Sequence, residues 1–238
     1  MKILTWNILA SEWMKKSYYP KSNTSMLFNH KARFAQIYKT LQTYNADIIM
    51  LQEVMKKEYS KLKLLFEKDY IISNLKKMKW YNKVSESGNV TMLRRTLFND
   101  SDIYHYSHEY GLQTQCKYKN KICELFNIHL DDMSIKTRYK QWNNLHDICR
   151  PDSHVIIGGD FNHQYKKNSK IYNTPGFTTH NLCPTYYIDR KMNIDNIMTR
   201  GCNKIHDNKC VWYPESIEDG FHEYGSDHLP VVINVELY

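Results

Sequence analysis

Residues 121–160 read KICELFNIHLDDMSIKTRYKQWNNLHDICRPDSHVIIGGD, and this stretch decides the fold. Two apolar runs, KICELFNIHL (121–130) and HVIIGGD (154–160), enclose the mixed segment IKTRYKQWNNLHDIC (135–149). At the helical period of about 3.6 residues, five side chains of that segment fall on one face. These are Tyr139, Trp142, Leu145, His146 and Cys149. The stretch therefore predicts a buried strand, an amphipathic helix and a second buried strand.

The same order occurs at the start of the chain. Strand KILTWNI (2–8), helix HKARFAQIYKTLQTYN (30–45) and strand ADIIMLQ (46–52) follow one another. One face of this helix is formed by Phe34, Ile37, Tyr38 and Leu41. Helices with one apolar face that alternate with buried strands indicate sheets covered by helices. Two such halves predict an α/β fold of four layers, an α-β-β-α sandwich of two packed mixed sheets flanked by helices.

The rest of the chain carries weaker patterns. Residues 70–120 predict shorter strands at YIISNL (70–75), VTMLRRTLF (90–98) and DIYHYSH (102–108). Residues 165–185 predict mostly loop, with a turn at Pro175-Gly176. No linker, low-complexity stretch or charge block divides the 238 residues, so we expect one domain over residues 1–238.

The composition limits the cellular setting. The chain carries 33 basic and 25 acidic residues, a net charge of +8, which suits an anionic partner. An AT-rich coding sequence, which favours lysine, would produce the same excess. Six cysteines without a CxxC pair indicate scattered thiols in a reducing compartment. Neither a signal peptide nor a long apolar window is present, so we expect a protein of the cytoplasm or nucleus that is not secreted and has no membrane partner. We also expect a monomer.

Polar residues close or interrupt the runs predicted as strands. They are Asn7 after KILTW, Glu53 after ADIIMLQ, His129 after CELFNI, Asp160 after HVIIGG, Asp195 within MNIDNIM, and Asp227 and His228 ahead of LPVVINVEL. Strands of one sheet system bring residues at matching ends to a common rim, so we expect these segments to meet at one site. Taken singly, each residue is equally compatible with a solvated strand end or a cap.

Four carboxylates in one cleft repel one another. Two like charges ~4 Å apart cost about 4 kcal/mol at an intermediate dielectric, so a dication or a raised pKa must compensate. Oxygen and amide ligands without a nearby cysteine favour Mg²⁺, or Mn²⁺ in its place, over Zn²⁺. In GGDFN, Gly158 and Gly159 let the backbone approach closely before Asp160, and Asn162 follows on the same side of an extended chain. The alternative for GGDFN is a tight turn held by its Asp and Asn.

Six short motifs occur in order over nearly the whole chain. They are TWN (5–7), LQEV (51–54), HL (129–130), GGDFN (158–162), NIDNIM (193–198) and SDH (226–228). This set resembles the endonuclease/exonuclease/phosphatase superfamily. The resemblance implies the four-layer fold and a metal-dependent phosphoric ester hydrolase. It also implies that Glu53, helped by Asn7, binds Mg²⁺, and that Asp227 contributes directly or through water.

The resemblance implies roles for the remaining motif residues as well. Asp160 and Asn162 would orient the attacking water and the phosphoryl oxygens. His228, held in one tautomer by Asp195, would donate to a non-bridging phosphate oxygen, and His129 would make a second contact of that kind. Together these roles describe metal-assisted in-line hydrolysis.

Two branches of the superfamily match best. TWNILASEW (5–13) followed by LQEV resembles the deadenylase/nocturnin-like branch, in which Arg33 would fix the first helix and not bind substrate. The tyrosyl-DNA phosphodiesterase-like branch shares most of the motifs. Base-excision endonucleases typically carry a Tyr at the position of His129, which argues against them.

Three further residues are candidate substrate contacts: Trp80 within the lysine-rich LKKMKWYNK (75–83), Arg94 and Tyr186. Basic groups with aromatic rings suit a single strand, although a solvated loop with a packed Trp explains the same pattern. We predict a Mg²⁺-dependent phosphodiesterase of nucleic acid, acting on a single strand or a strand end. The alternatives are a phosphatase of lipid or small-molecule phosphates on the same scaffold and a non-catalytic binding module.

Overall fold

Two β-sheets pack face to face and carry helices on their outer faces. The structure is a computed structural model that describes residues 1–20, 22, 25–80, 83–188, 191–204 and 211–237. The strands are β1 Lys2–Asn7, β2 Ile48–Met55, β3 Tyr70–Ile72, β4 Lys76–Trp80, β5 Lys83–Arg94, β6 Tyr104–His108, β7 Gly111–Tyr118, β8 Lys121–His129, β9 His154–Asp160, β10 Thr178–Thr179, β11 Asp195–Arg200, β12 Cys202–Lys204 and β13 Val231–Leu237. The helices are α1 His30–Tyr44, α2 Lys56–Phe66, α3 Ile135–Ile148 and α4 Ile217–Glu223.

Both sheets are mixed. The first has the order β12-β13-β1-β2-β5-β3, with β4 also paired to β5, and the second has the order β10-β11-β9-β8-β7-β6. Strands β1 and β2 are parallel and are joined through α1, and β8 and β9 are parallel and are joined through α3. Parallel neighbours need a crossover connection, which places each helix on a sheet face. The two predicted strand–helix–strand units therefore form equivalent halves.

Three apolar layers lie between the four layers of secondary structure. In the outer layer of the first sheet, Trp6 of β1 belongs to the same cluster as Leu41 of α1. Met50 of β2 and Ile156 of β9 belong to the layer between the sheets, and Trp142 of α3 to the layer outside the second sheet. Fully burying one large apolar side chain contributes about 1.5–3 kcal/mol. The predicted four-layer α-β-β-α sandwich is confirmed.

Local signals explain where the two crossover helices begin and end. The side chains of Asn29 and Ser134 accept hydrogen bonds from the third residue beyond them, so each is an N-cap. Helix α1 ends where Asn45 adopts a left-handed conformation with φ 46°. The predicted apolar face of α3 was wrong at His146, which is exposed.

The structure differs from the sequence predictions in the middle of the chain. Helices α2 and α4 and strand β7 were not predicted, and β5 ends at Arg94 where a strand to Phe98 was expected. Free thiols were expected throughout; Cys116, Cys123, Cys149 and Cys202 are free, whereas Cys183 is disulfide-bonded. Among the described residues, none of the helices combines the length and the apolar character needed to cross a bilayer.

Candidate active site

One cavity lies where strand ends from both sheets meet. Strands β1, β8 and β9 end at Asn7, His129 and Asp160, and β11 begins at Asp195. Asp160 is paired with His129 on one side and with Asp195 on the other. The cavity has a volume of about 440 Å³. Its lining comprises Trp13, Tyr18, Glu53, His129, Asp132, Met133, Asp160, Asn162 and His228.

The TWN and SDH segments are bonded directly to each other. The indole N–H of Trp6 donates to the carbonyl oxygen of His228 at 2.9 Å. The hydroxyl of Ser226 donates to the carbonyl oxygen of Asn7 at 2.7 Å. All of these groups are buried, so each bond replaces one that water would otherwise make. Segments from the two ends of the chain are thereby fixed at one rim.

Glu53 owes its direction to a bulge in strand β2. The pairing of β2 with β5 shifts register between Leu51 and Val54, and Glu53 adopts a left-handed φ of 58°. Such a conformation costs a non-glycine residue on the order of 1–3 kcal/mol and is found at functional sites. Its carboxylate accepts from the Asn7 side-chain amide at 2.9 Å and from the main-chain N–H of Ala10 at 2.8 Å. The bulge therefore turns a strand residue into the cavity.

The Asn7 amide links two carboxylates. Its Nδ2 donates to Glu53 at 2.9 Å and to Asp160 at 3.1 Å, so one amide group bridges the two acidic side chains. Its Oδ1 accepts from the N–H of Leu9, which closes a turn with Leu9 at φ 56°. With this orientation the nitrogen of Asn7, and not its oxygen, faces the carboxylates. Direct coordination of a cation by Asn7 requires the amide to rotate.

The GGDFN segment presents Asp160 through a tight backbone. A Cβ on Gly158 would lie 2.4 Å from a methyl carbon of Met50 on the facing sheet. Gly159 has φ 152°, and a Cβ there would lie 1.9 Å from a main-chain oxygen of β8. After Asp160 the chain does not stay extended: Asn162 has φ 47°, and its N–H donates to Asp160 Oδ1 at 2.8 Å. The predicted close approach is confirmed, and a turn replaces the predicted extended chain.

His228 is held by a buried carboxylate. Its Nδ1 lies 2.8 Å from Asp195 Oδ2, and its Nε2 lies 3.8 Å from Asp160 Oδ2. Burial lowers the pKa of His228, but the Asp195 and Asp160 carboxylates outweigh it and raise the pKa well above its usual range. The Tyr186 ring packs edge-on against the imidazole at 5.2 Å. The second ring nitrogen, Nε2, is therefore on the side of Asp160, and a proton on it is available to a group bound in the cavity.

A second imidazole stands on the other side of Asp160. His129 Nε2 lies 3.7 Å from Asp160 Oδ2 and 4.0 Å from Glu53 Oε1. The side chain is buried at the end of β8. Two imidazoles therefore flank the carboxylate of Asp160, an arrangement suited to a negatively charged, multi-oxygen group such as phosphate.

The negative charge of the site is compensated only in part. Burial raises the pKa of Glu53; His129 opposes this, and the charge of Asp227 adds to the rise. The buried Arg33 guanidinium donates to the carbonyl oxygens of Gly225 at 2.6 Å and of Leu9 at 2.7 Å. Arg33 thus ties the segment after β1 to the turn before SDH and supplies a positive charge behind the carboxylates.

Available oxygens indicate which residues could hold a divalent cation. Among the described residues, Asp227 Oδ1 is buried and accepts no hydrogen bond. Each Glu53 oxygen accepts one N–H, which leaves it a further lone pair. Asp160, Asp195 and His228 also bring one ligand atom each within 4.8 Å of one another, although His228 Nδ1 and Asp195 Oδ2 are already bonded to each other at 2.8 Å. The donor set therefore fits a hard divalent cation, with Glu53 and Asp227 offering the oxygens.

Of the three predicted substrate contacts, one lies at the site, one lies away from it, and one has a side chain that is not described. Tyr186 lies beside His228, as described above. Arg94 is a correction, because it lies next to the start of β2, away from Glu53, where its guanidinium donates to Asp47 at 3.0 Å and stacks on Tyr70. The side chain of Trp80 lies outside the described residues.

Besides Asp132, which also lines the cavity, sequence reasoning missed four residues that border or support the cavity. Trp13, Tyr18 and Met133 line it, and the Tyr19 hydroxyl donates to Asp227 Oδ2 at 2.9 Å. Burial, followed by Asp227, raises the pKa of Tyr19, so this hydroxyl stays protonated and remains a donor. The available signal was position, since three of the four follow TWN by a few residues in a loop that a site residue opens.

Comparison with known proteins identifies the family to which the chain belongs. A family model described as "Endonuclease/Exonuclease/phosphatase family" matches residues 4–228. A comparison with curated protein sequences gives no match.

Among solved structures, ANGEL2, described as a 2',3'-cyclic phosphatase, has TM-score 0.79 and 14% identity over 98% of this chain and 94% of that chain. The human Nocturnin catalytic domain with bound sulfate has TM-score 0.72 and 16% identity over 100% and 94%. D. rerio TDP2 with a single strand DNA product has TM-score 0.66 and 16% identity over 99% and 98%. At these identities the likeness shows a shared fold.

Proposed function

The chain belongs to the endonuclease/exonuclease/phosphatase family, which makes it a phosphoester hydrolase, and we propose that it is a Mg²⁺-dependent phosphodiesterase of nucleic acid. One observation carries the proposal: Glu53, Asp160 and His228 line a single cavity, with Asp195 bonded behind the histidine. Carboxylates that bind a cation and accept from water, beside imidazoles that donate to phosphate, are the groups that phosphodiester hydrolysis needs.

Each residue has a role that follows from its bonds. Asp160 orients the attacking water, because Asn7 and the N–H of Asn162 fix its two oxygens. His228 holds a proton on Nε2 for a non-bridging phosphate oxygen while Asp195 fixes its tautomer. His129 makes the second such contact. Glu53 and Asp227 would hold Mg²⁺ or Mn²⁺, which would supply neutralisation of the phosphate charge and stabilisation of the departing oxygen.

Three features support nucleic acid as the substrate. The net charge of +8 favours a polyanion. The TDP2 structure named above contains a single strand DNA product, and the Nocturnin structure contains a sulfate ion. A single strand or a strand end suits a confined cavity better than an intact duplex. We further propose that residues 1–238 form one catalytic domain that acts as a monomer inside the cell.

A substrate panel tests the proposal. The purified chain is incubated with Mg²⁺ or with EDTA and single-stranded RNA, single-stranded DNA, a 5′-tyrosyl oligonucleotide, RNA ending in a 2′,3′-cyclic phosphate, and inositol phosphates. We expect Mg²⁺-dependent cleavage of at least one nucleic acid. Turnover of inositol phosphates alone would overturn the nucleic-acid assignment, and no turnover of any compound would overturn the assigned chemistry.

Paired variants test whether a loss of activity is specific to residues of the cavity. We expect Glu53→Gln to lose Mg²⁺-dependent turnover, because the carboxylate charge that would bind the cation is removed while the shape is kept. His222→Ala is the matched control for His228→Ala, because His222 is exposed near the end of α4. Equal activity of the two histidine variants would contradict the site assignment.

A further inference from the structure

We propose that Trp13 and Tyr18, which line the catalytic cavity together with Met133, form an aromatic wall on which one unpaired base at the end of the nucleic-acid substrate stacks. All three side chains line the cavity that contains Glu53 and His228. The proposal rests on the proposed function and deepens it, because it defines the substrate as a single-stranded or frayed end.

The local chain explains how the wall is presented. Asn7 ends β1, and the segment that follows makes two short 3₁₀ turns, Ser11–Trp13 and Lys16–Tyr18. Each turn ends in one of the two rings. The site residue and the wall are therefore delivered by one continuous stretch of chain.

This stretch is fixed from two sides. Its beginning is held by the bond from Ala10 N–H to Glu53 and by the bond from Arg33 to the Leu9 carbonyl oxygen. Next to Trp13, the Glu12 carboxylate accepts from Ser87 of β5 at 2.6 Å, and also from Ser85. These contacts hold the segment up to Trp13, and a ring held in this way loses little conformational freedom on binding, which favours its use as a stacking surface.

The exposed surfaces of the wall and of its partner have the chemistry that a base requires. Tyr18 is 50% exposed and Met133 is 72% exposed, whereas Trp13 is half-buried against the outer core. Lys15 lies over the Tyr18 ring at 5.4 Å, and Lys16 beside it is also exposed. Aromatic rings for bases combined with lysines for the backbone are the features of sequence-tolerant single-strand binding.

Met133 lines the same cavity and supplies an apolar surface beside the aromatic wall. It belongs to the loop between β8 and α3, which begins directly after His129. An unbranched, polarizable thioether adapts to the face of an aromatic group, so it can cover a base of any identity. The cavity of about 440 Å³ is within the range of roughly 300–1,000 Å³ usual for small-ligand sites. A base can lay its face on a ring inside this cavity only when it is not held in a duplex, so the terminal base must be unpaired.

Two oligonucleotides that differ only at the terminal residue test the wall. One ends in a normal unpaired nucleotide and the other in an abasic residue, and kcat/KM is measured for both. We expect the wild type to prefer the base by about 5-fold to 100-fold, the size of one base–aromatic stack. Tyr18→Ala and Trp13→Ala should reduce that preference toward equality. Tyr18→Ala is the more secure variant, because Trp13 also packs against the core.

The control is Tyr104→Ala. Tyr104 is 57% exposed on the edge strand β6 and does not line the cavity, so this variant should keep the wild-type preference. Two results would refute base stacking on the aromatic wall. One is an equal kcat/KM of the wild type on the base-ended and the abasic oligonucleotide, and the other is an undiminished preference for the base in Tyr18→Ala. Fluorescence anisotropy reads the same preference as a ratio of Kd values without turnover. A wild type that binds the base-ended strand more tightly yet cleaves nothing would therefore refute the proposed function alone.

Discussion

Replacing Asn7 with Asp tests whether crowded carboxylates and a cation control this site. The Asn7 Nδ2 lies 2.9 Å from Glu53 and 3.1 Å from Asp160 and donates to both. A carboxylate there turns two attractive contacts into two repulsive ones, each worth about 4 kcal/mol at ~4 Å and an effective dielectric of ~20. The new carboxyl avoids this by keeping its proton.

The cost of keeping that proton sets the magnitude. Holding a carboxyl of ordinary pKa ~3.9 protonated at pH 7 costs about 4 kcal/mol, at about 1.4 kcal/mol per pH unit. For a chain of this length, about 4 kcal/mol lowers Tm by roughly 8–16 °C. Because the pKa of the new carboxyl is raised in the folded state, the loss is absent below about pH 4 and grows as the pH rises toward the folded pKa.

Magnesium should reverse much of this loss. An additional anionic ligand strengthens cation binding, and a ligand that binds only the folded state stabilises it by mass action. Thermal unfolding in EDTA and in Mg²⁺ is measured for the wild type, Asn7→Asp and Asn7→Ala. Asn7→Ala removes the donor without adding charge, so it controls for the lost hydrogen bonds. A magnesium-induced rise in Tm that is no larger for Asn7→Asp than for Asn7→Ala would refute the reasoning.

Three further outcomes are expected. His228→Ala and Asp160→Asn should each lower kcat by at least ~100-fold with little change in KM, since both groups act mainly in the transition state; near-wild-type steady-state rates would discard their roles. Gly159→Ala should be insoluble or destabilised by more than ~3 kcal/mol, because a Cβ would lie 1.9 Å from a main-chain oxygen at φ 152°; a wild-type urea midpoint would contradict this. Tyr19→Phe should cost about 1–2 kcal/mol in the same urea measurement, because Asp227 loses a buried donor at 2.9 Å; an unchanged midpoint would show that the bond contributes nothing.

Much of the site was predictable because its signals are local. An apolar run that closes with a polar residue marks a strand end in any context, and this placed His129 and Asp160 at neighbouring ends, where they are paired in β8 and β9. The glycines before Asp160 marked a close approach for the same reason. Features that depend on a partner strand were not predictable. The bulge that turns Glu53 into the cavity exists only relative to β5.

Arg94 and Trp13 both show that sequence patterns do not reveal which residues become neighbours in the fold. Arg94 was predicted as a substrate contact and lies elsewhere, whereas Trp13 was not predicted and lines the cavity. A basic residue that follows a stretch rich in lysine and aromatic residues suggested substrate contact, but Arg94 is bonded to Asp47 and stacked on Tyr70, residues distant from it in sequence. Trp13 was not predicted as a site residue, yet it lines the cavity together with Met133 of the loop after β8. Neither assignment could be made without knowing which segments become neighbours.

By itself the sequence determined the two strand–helix–strand units, the amphipathic faces of their helices and the polar residues at the strand ends, because periodicity and strand closure are properties of consecutive residues. Only the tertiary structure decided the distances among those polar groups and the direction of the Asn7 amide. Asn7 and Asp160 are separated by 153 residues, yet their side chains meet at 3.1 Å. Contacts of that kind arise when two sheets pack against each other, and no local pattern encodes the register of that packing.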